Sequence, residues 1–182
     1  YAPQGSAKCK KFHITTATSF KYKWFDTDTE YTVNIPVGYY DVEDINRRLK
    51  QQMFINLHYF IVGTDGTPSY YYNDNLVLLL NIGFNNITNN IELQVFKTDT
   101  TIFDTPGNKY SIPFNSIGLV AWTNPLPTAS VYPLFIIESN SFQSMIGVNA
   151  ASYPVSTDAT LGQNIVVFES TSPPSVTPLF RA

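Results

Sequence analysis

Cys9 and His13 stand four residues apart near the start of the chain. On one helical turn that spacing would bring a thiol against an imidazole, the pairing of a nucleophile with its general base. The surrounding segment, Lys8 to Thr18, reads instead as loop or strand beside a terminus, so no such dyad is expected. His13 and His58 are the only imidazoles, and neither a Cys-x-x-Cys nor a His-Glu-x-x-His spacing occurs, so the usual zinc-ligand sets cannot be assembled. Asp26, Asp28 and Glu30 alternate. In a strand they would share a face, and in a loop they could ligate calcium, but no Gly-containing loop of EF-hand type follows. An exposed acidic face, or a set of partners for the nearby lysines, is the reading they favour. Carboxylate pairs for glycoside hydrolysis are assembled in space, and nothing in the sequence singles one out.

Other constellations are equally spare. Gly63 and Gly66 flank Thr64-Asp65 without the Gly-Lys-Ser/Thr that completes a phosphate cradle. Tyr70, Tyr71 and Tyr72 suggest a stacking platform for a sugar or a base, yet in a strand Tyr71 points away from its neighbours and cross-strand packing is the simpler role. Asn86-Ile87-Thr88 is a formal glycosylation sequon, meaningful only on a secretory route. Five of the eleven cations, Lys8, Lys10, Lys11, Lys21 and Lys23, lie in the first 23 residues, with no acid before Asp26. These define a basic N-terminal arm over 1–23. It is either a solvated terminus or a strand or arm that contacts a partner or a genome, and too few charges cluster there for a dedicated nucleic-acid surface.

The composition explains this poverty of catalytic groups. Charged residues make up 14% of the 182, against roughly 25% in an average soluble domain, so the surface must be built largely from Asn, Thr, Ser, Gln and Tyr. Between Gln51 and Phe180 only Lys97 and Lys109 are cationic, which argues against a polyphosphate site or a charged catalytic cleft and against an enzyme. No cofactor is implied. One cysteine excludes an intrachain disulfide and favours a reducing compartment. No apolar run approaches the roughly 20 residues that cross a bilayer. Tyr1 is not an initiator methionine, so a processed form or part of a longer chain is expected.

The elements that must position these residues are mostly strands. Tyr31 to Ile35 alternates and stops at Pro36, with a turn at Val37-Gly38. A helix is predicted from Asp41 to about Phe54: Asp41 caps it, Asp44 imitates a capping box, and Val42, Ile45, Leu49 and Met53 form one apolar stripe. Strands are predicted over 57–62, 69–72, 76–82 and 91–96, with loops at 63–66, 73–75 and 83–90, and a hairpin about 73–75. Further strands fall at 109–113, 118–122, 131–137 and 163–168, and a short helix at 141–146 is capped by Asn140 and stopped by Gly147. Roughly nine or ten short strands at this spacing predict an all-β antiparallel sandwich or barrel, with residues 24–182 as a single domain.

Two passages resemble a known group of proteins. The first is Tyr31 to Met53, where a strand, Ile-Pro-x-Gly-x-Tyr and a capped helix follow one another. The second runs from Trp122 to Phe180 and contains "WTNPLP", Pro133-Leu134-Phe135-Ile136-Ile137, "SFQSMIGVNAASYP" and "VVFESTSPPSVTPLF". In this order they are similar to the jelly-roll capsid proteins of virophages and polinton-like DNA viruses. Val148 departs from the pattern, which carries Phe after the Gly, and the family pattern continues with a further strand beyond the last motif.

The resemblance implies a jelly-roll sandwich and a structural role in the virion, assembled inside the host cell. The chain is too short for the two fused jelly rolls of a major capsid protein, which leaves a penton or minor capsid protein, with a fragment of a major capsid protein as the rival. The implied partners are copies of itself, as a pentamer or a trimer, and neighbouring capsid proteins, with weak genome contact through the arm. A carbohydrate- or receptor-binding β-sandwich, using Tyr70 to Tyr72 or Trp122, is the alternative from another class. An ion-poor surface suits assembly, because wide contacts among polar and aromatic side chains avoid the desolvation penalty of buried charge.

Overall fold

Alternation of apolar and polar residues builds the sheets of this chain, seen in a computed structural model that describes residues 11–24, 28–62, 76–98, 110–111, 131–155 and 165–174. The N-terminal half begins with strands β1 (Phe12–Ile14), β2 (Thr18–Lys23), β3 (Glu30–Ile35) and β4 (Gly38–Tyr40), then helix α1 (Val42–Ile55). Strands β5 (Phe60–Val62), β6 (Leu76–Val77), β7 (Leu80–Asn85), β8 (Asn90–Phe96) and β9 (Tyr110–Ser111) follow. The chain then forms β10 (Leu134–Ile137), helix α2 (Ser141–Ile146), β11 (Ala151–Tyr153) and β12 (Ile165–Glu169). Every described strand pair is antiparallel. The sheets run β11-β10-β2-β3, β12-β8-β7, β6-β5-β9 and β1-β4. Mostly antiparallel sheets with two helices are consistent with the expected all-β sandwich.

Strand β8 shows how the alternation works. In Asn-Ile-Glu-Leu-Gln-Val-Phe the aliphatic residues Ile91, Leu93 and Val95 are fully buried, while Glu92 and Gln94 take the outer face. Its partner β7 places Leu80 opposite Val95 and Ile82 opposite Leu93, so both strands send apolar side chains to the same side. From the other sheet, Phe20 and Tyr22 of β2, Val33 and Ile35 of β3 and Phe135 of β10 join the same buried cluster. One core therefore serves both sheets.

Two helices tie the sheets together. On α1 the capping box forms as expected: Asp41 accepts from the Asp44 backbone N–H at 2.7 Å, and Asp44 accepts from the Asp41 N–H at 3.1 Å. Ile45, Leu49 and Met53 are its buried stripe. The helix packs against β3, β4 and β7. Asn46 locks it to β7, donating to the Asn81 side chain at 2.7 Å and accepting from the Ile82 backbone N–H at 2.9 Å. Among the described strands β7 is an edge strand, and the Asn46 side chain takes up one of its backbone N–H groups. We expect Asn46→Ala to lower stability by about 2 kcal/mol, because the Ile82 N–H loses its partner in a largely buried position. Asn46→Asp, which keeps the acceptor, should lose less, and equal urea midpoints for the two variants would contradict this role.

Helix α2 works the same way at another corner. Asn140 caps it by accepting from the Gln143 N–H at 3.2 Å, and its amide donates to the Ser19 carbonyl at 2.8 Å. The Phe142 N–H is taken by Thr18 Oγ1 at 3.1 Å, which holds the start of β2 against the helix. At the far end Gly147 adopts φ 72°, and its carbonyl accepts from the Thr171 N–H at 3.0 Å. The helix thus joins β2 of one sheet to the segment that leaves β12 of the other.

Several expectations require correction. Residues 12–23 are not a separate arm: β1 and β2 lie within the sheets, with Phe12, Phe20 and Tyr22 buried, because apolar residues alternate with the lysines there. The segment 83–90 is not all loop, since β7 runs to Asn85 and only 86–89 turn, with Asn89 at φ 60°. The strand expected from Leu57 begins at Phe60, because Asn56 caps α1 and Leu57 takes φ 59°. Gly38 opens β4 rather than a turn, and β11 was not foreseen. The strands expected over 69–72 and 118–122, and the hairpin about 73–75, lie outside the described residues.

Candidate functional site

The lysines singled out at the N-terminus fall into two groups. Lys8 and Lys10 lie outside the described residues, and Lys11 is half-buried just before β1. Lys21 and Lys23 point outward from β2 because Phe20, Tyr22 and Trp24 take the inward positions. Both are met by acids. Lys21 Nζ lies 2.6 Å from Glu138 and 3.3 Å from Glu30, and Lys23 Nζ lies 2.6 Å from Asp28. The hydrogen bond to Glu138, then that to Glu30, pushes the Lys21 ammonium above its ordinary pKa. A hydrogen bond from Lys23 holds the Asp28 carboxyl below the usual range. Two of the alternating acids, Asp28 and Glu30, are thus lysine partners, and Asp26 lies outside the described residues. Three carboxylates against two ammonium groups make this face an ion-pair lattice rather than a cationic surface.

His13 sits in β1 as a strand residue, exposed, with its ring stacked flat on Tyr39 of β4 at 4.3 Å and 4°. Cys9, the other half of the Cys9–His13 pairing, lies outside the described residues. His58 is in a different setting. It follows the cap of α1, is 2% exposed, and packs against Trp24 at 5.3 Å and edge-on to Tyr31 at 4.5 Å. Asn56 Nδ2 donates to Tyr22 Oη at 2.9 Å, and Tyr22 Oη lies 2.8 Å from His58 Nδ1. Which of Tyr22 and His58 donates across this contact is set by the imidazole tautomer. Burial lowers the His58 pKa to about 4. The relay is a structural strut joining β2 to the end of α1. Sequence reasoning missed it, since residues 36 apart give no local signal of contact.

No group of three metal-capable side chains occurs among the described residues, nor does any described helix have the length and apolarity to cross a membrane. The sequon occupies the turn between β7 and β8. Asn86 is exposed, Asn85 Oδ1 accepts from the Ile87 and Thr88 N–H groups, and the Thr88 hydroxyl donates to Glu169 of β12. Tyr70 to Tyr72 and Trp122, the residues of the stacking alternative, lie outside the described residues, as do Gly63 and Gly66.

What the described surface does offer is packing area. On the outer face of the β12-β8-β7 sheet, Asn81 donates to Gln94 at 2.8 Å, Gln94 to Glu92 at 2.9 Å, and Asn85 to Glu92 at 2.9 Å. This amide network is polar without being strongly charged. Beside it Ile165 and Val167 are exposed, and Phe54 and Ile55 are exposed at the end of α1. The run Ile165-Val166-Val167-Phe168 has no polar alternation, so which residues face out was not legible. In comparisons with protein-family models, curated proteins and solved structures, no match to this chain was found.

Proposed function

We propose that this chain is a structural capsid protein: a single jelly roll that self-associates, in the role of a penton or minor capsid subunit at a five-fold vertex. The observation that carries the reading is how the titratable groups of the antiparallel sandwich are used. The lysines of β2 are held by Glu30, Glu138 and Asp28, Arg47 by Asp44 at 2.9 Å, and His58 by Tyr22, each in a framework contact. Among the described residues no group of three or more His, Cys, Asp or Glu side chains is placed to hold a metal ion. Meanwhile large apolar side chains stay exposed on a sheet face and a helix end, where contact with another molecule would bury them without stranding ions.

The mechanism is association through flanks and loops. Antiparallel sheets packed on one core give a rigid block, and the contacts on its sides set the angle to the next copy. The virion shell is the expected location, with neighbouring capsid proteins as further partners. Native mass measurement of the purified protein at high concentration tests the reading. A ring of five is expected; a trimer would replace the penton role by that of a major-capsid jelly roll, and a monomer at all concentrations would overturn self-association.

A further inference from the structure

We propose that the buried contact between His58 and Tyr22 is a pH-sensitive latch: a proton taken up by His58 releases the turn that links α1 to β5, while the longer sheets stay paired. The latch stands at a junction. His58 leaves the last turn of α1 with its backbone N–H donating to the Met53 carbonyl at 2.8 Å, and its ring enters a cage of aromatic side chains. Tyr22 of β2, Trp24 just after it and Tyr31 of β3 lie at ring separations of 5.6, 5.3 and 4.5 Å. Asn56 donates to the same Tyr22 hydroxyl, so the turn is fastened to β2 through both Asn56 and His58.

None of the side chains just named carries a charge at neutral pH. Tyr59, the next residue, is a phenol stacked on Phe54. The ions of β2 and β3, Lys21, Lys23 and Glu30, alternate with the cage residues and are engaged on the outer face with one another, Glu138 and Asp28. Residues 52–55 of α1 and strand β5 contain no ionic side chain, and Lys50, one turn earlier, is exposed. An imidazolium would thus find no carboxylate partner among these residues. Donating from both nitrogens, it would also set a second donor against Tyr22 Oη, which already accepts from Asn56.

The turn gives way before the sheets because its own ties are weak. Leu57 holds φ 59°, a left-handed conformation disfavoured for a residue with a Cβ, and Phe54 and Ile55 beside it are exposed. Strand β5 is three residues long and its partners β6 and β9 two each, whereas β8 runs for seven residues and pairs on both sides. The first half of α1 is held separately, by its capping box and by Asn46 on β7. Segments with few buried ties open at lower free energy than core strands. The latch is therefore shut in neutral solution and opens in acid, uncovering Tyr22 and Trp24.

Hydrogen exchange of the full chain, followed by NMR and corrected for the intrinsic effect of pH, tests the latch. From pH 7 to pH 5 the opening constant reported by the Leu57 and His58 amides should rise about 20-fold, since the open turn binds a proton that the closed one refuses. Low urea should leave that opening unchanged. Amides of β8 should remain at least about tenfold better protected at both pH values and respond to urea. In His58→Gln the rise with acid should vanish. Because that substitution also alters packing, the His58 ring of the wild type is titrated in parallel, and should ionise well below pH 6.5. Exchange at Leu57 and His58 that is indifferent to pH, or equals that of β8 in size and urea dependence, would overturn the latch, as would a ring that titrates near 6.5.

Discussion

Gly147→Ala is expected to destabilise the protein by about 3 kcal/mol or more. Two effects add. The residue ends α2 at φ 72°, a left-handed conformation that costs a residue with a Cβ about 1–2 kcal/mol. In addition, a Cβ built there would run into the Ser172 carbonyl oxygen, with the Ser172 hydroxyl only 2.7 Å away. The obstruction is backbone, so it cannot be relieved by a side-chain rotation. Moving the 170–172 segment would break the Thr171 N–H bond to the Gly147 carbonyl and disturb Ser170, whose Oγ accepts from the Ile91 N–H at 3.1 Å in the neighbouring strand. At roughly 2–4 °C per kcal/mol for a chain of this size, the midpoint of thermal unfolding should fall by about 10 °C. Gly147→Asn separates the causes. Asn tolerates the left-handed region well, so if it unfolds as readily as the Ala variant, collision dominates; recovery to near wild type would show that Ser172 can give way and would contradict the tight contact.

Stability should also fall as the solution is acidified from pH 6.5 to about 4, by about 3 kcal/mol, because of His58. The sign follows from which state takes up the proton. Above pH 6.5 the imidazole is neutral in both states. As pH falls below that, the unfolded chain is protonated while the buried ring, with its pKa lowered to about 4 by desolvation, is not. Folding is then opposed increasingly until the folded ring titrates too, and the loss levels off below pH 4. Asp44 adds a loss of its own, in a lower window. The backbone N–H of Asp41 holds its carboxyl below the usual range, so its contribution is intact above pH 3.8 and disappears as pH falls through the lowered value. His58→Gln retains a hydrogen-bonding side chain without the titration. Unfolding free energies by urea at pH 7, 6 and 5 should therefore fall in the wild type and stay nearly level in the variant; parallel slopes would sink the assignment to His58.

Local features were read from the sequence with the greatest success, and α1 shows why. Its cap, its carboxylate at the third position and its apolar stripe all involve residues within a few positions of one another, and so does the Asn140 to Gly147 frame of α2. Strands with strict alternation, such as β3 and β8, were legible for the same reason. Legibility failed where alternation is absent, as in Ile165 to Phe168, and also where it is present but carried by charged residues. Lysines gave the first 23 residues the look of a solvated arm, although Phe20 and Tyr22 between them are core residues of β2. The ion-pair lattice was half visible: Asp28 and Glu30 are near Lys21 and Lys23 in sequence, but Glu138 reaches Lys21 across 117 residues.

By itself, then, the sequence determined that this protein is a β-rich, ion-poor chain with two short-range-capped helices, because hydrogen bonds and periodicities of three or four residues need no tertiary partner. Only the tertiary structure decided that Tyr22 meets His58, that Asn46 binds the Ile82 N–H of β7, and that Glu138 meets Lys21. Those facts depend on strand order and register. Antiparallel pairing can join segments at any separation, and a shift of one residue exchanges the inner and outer faces of a strand, so the surface on which function depends exists only once the sheets have assembled.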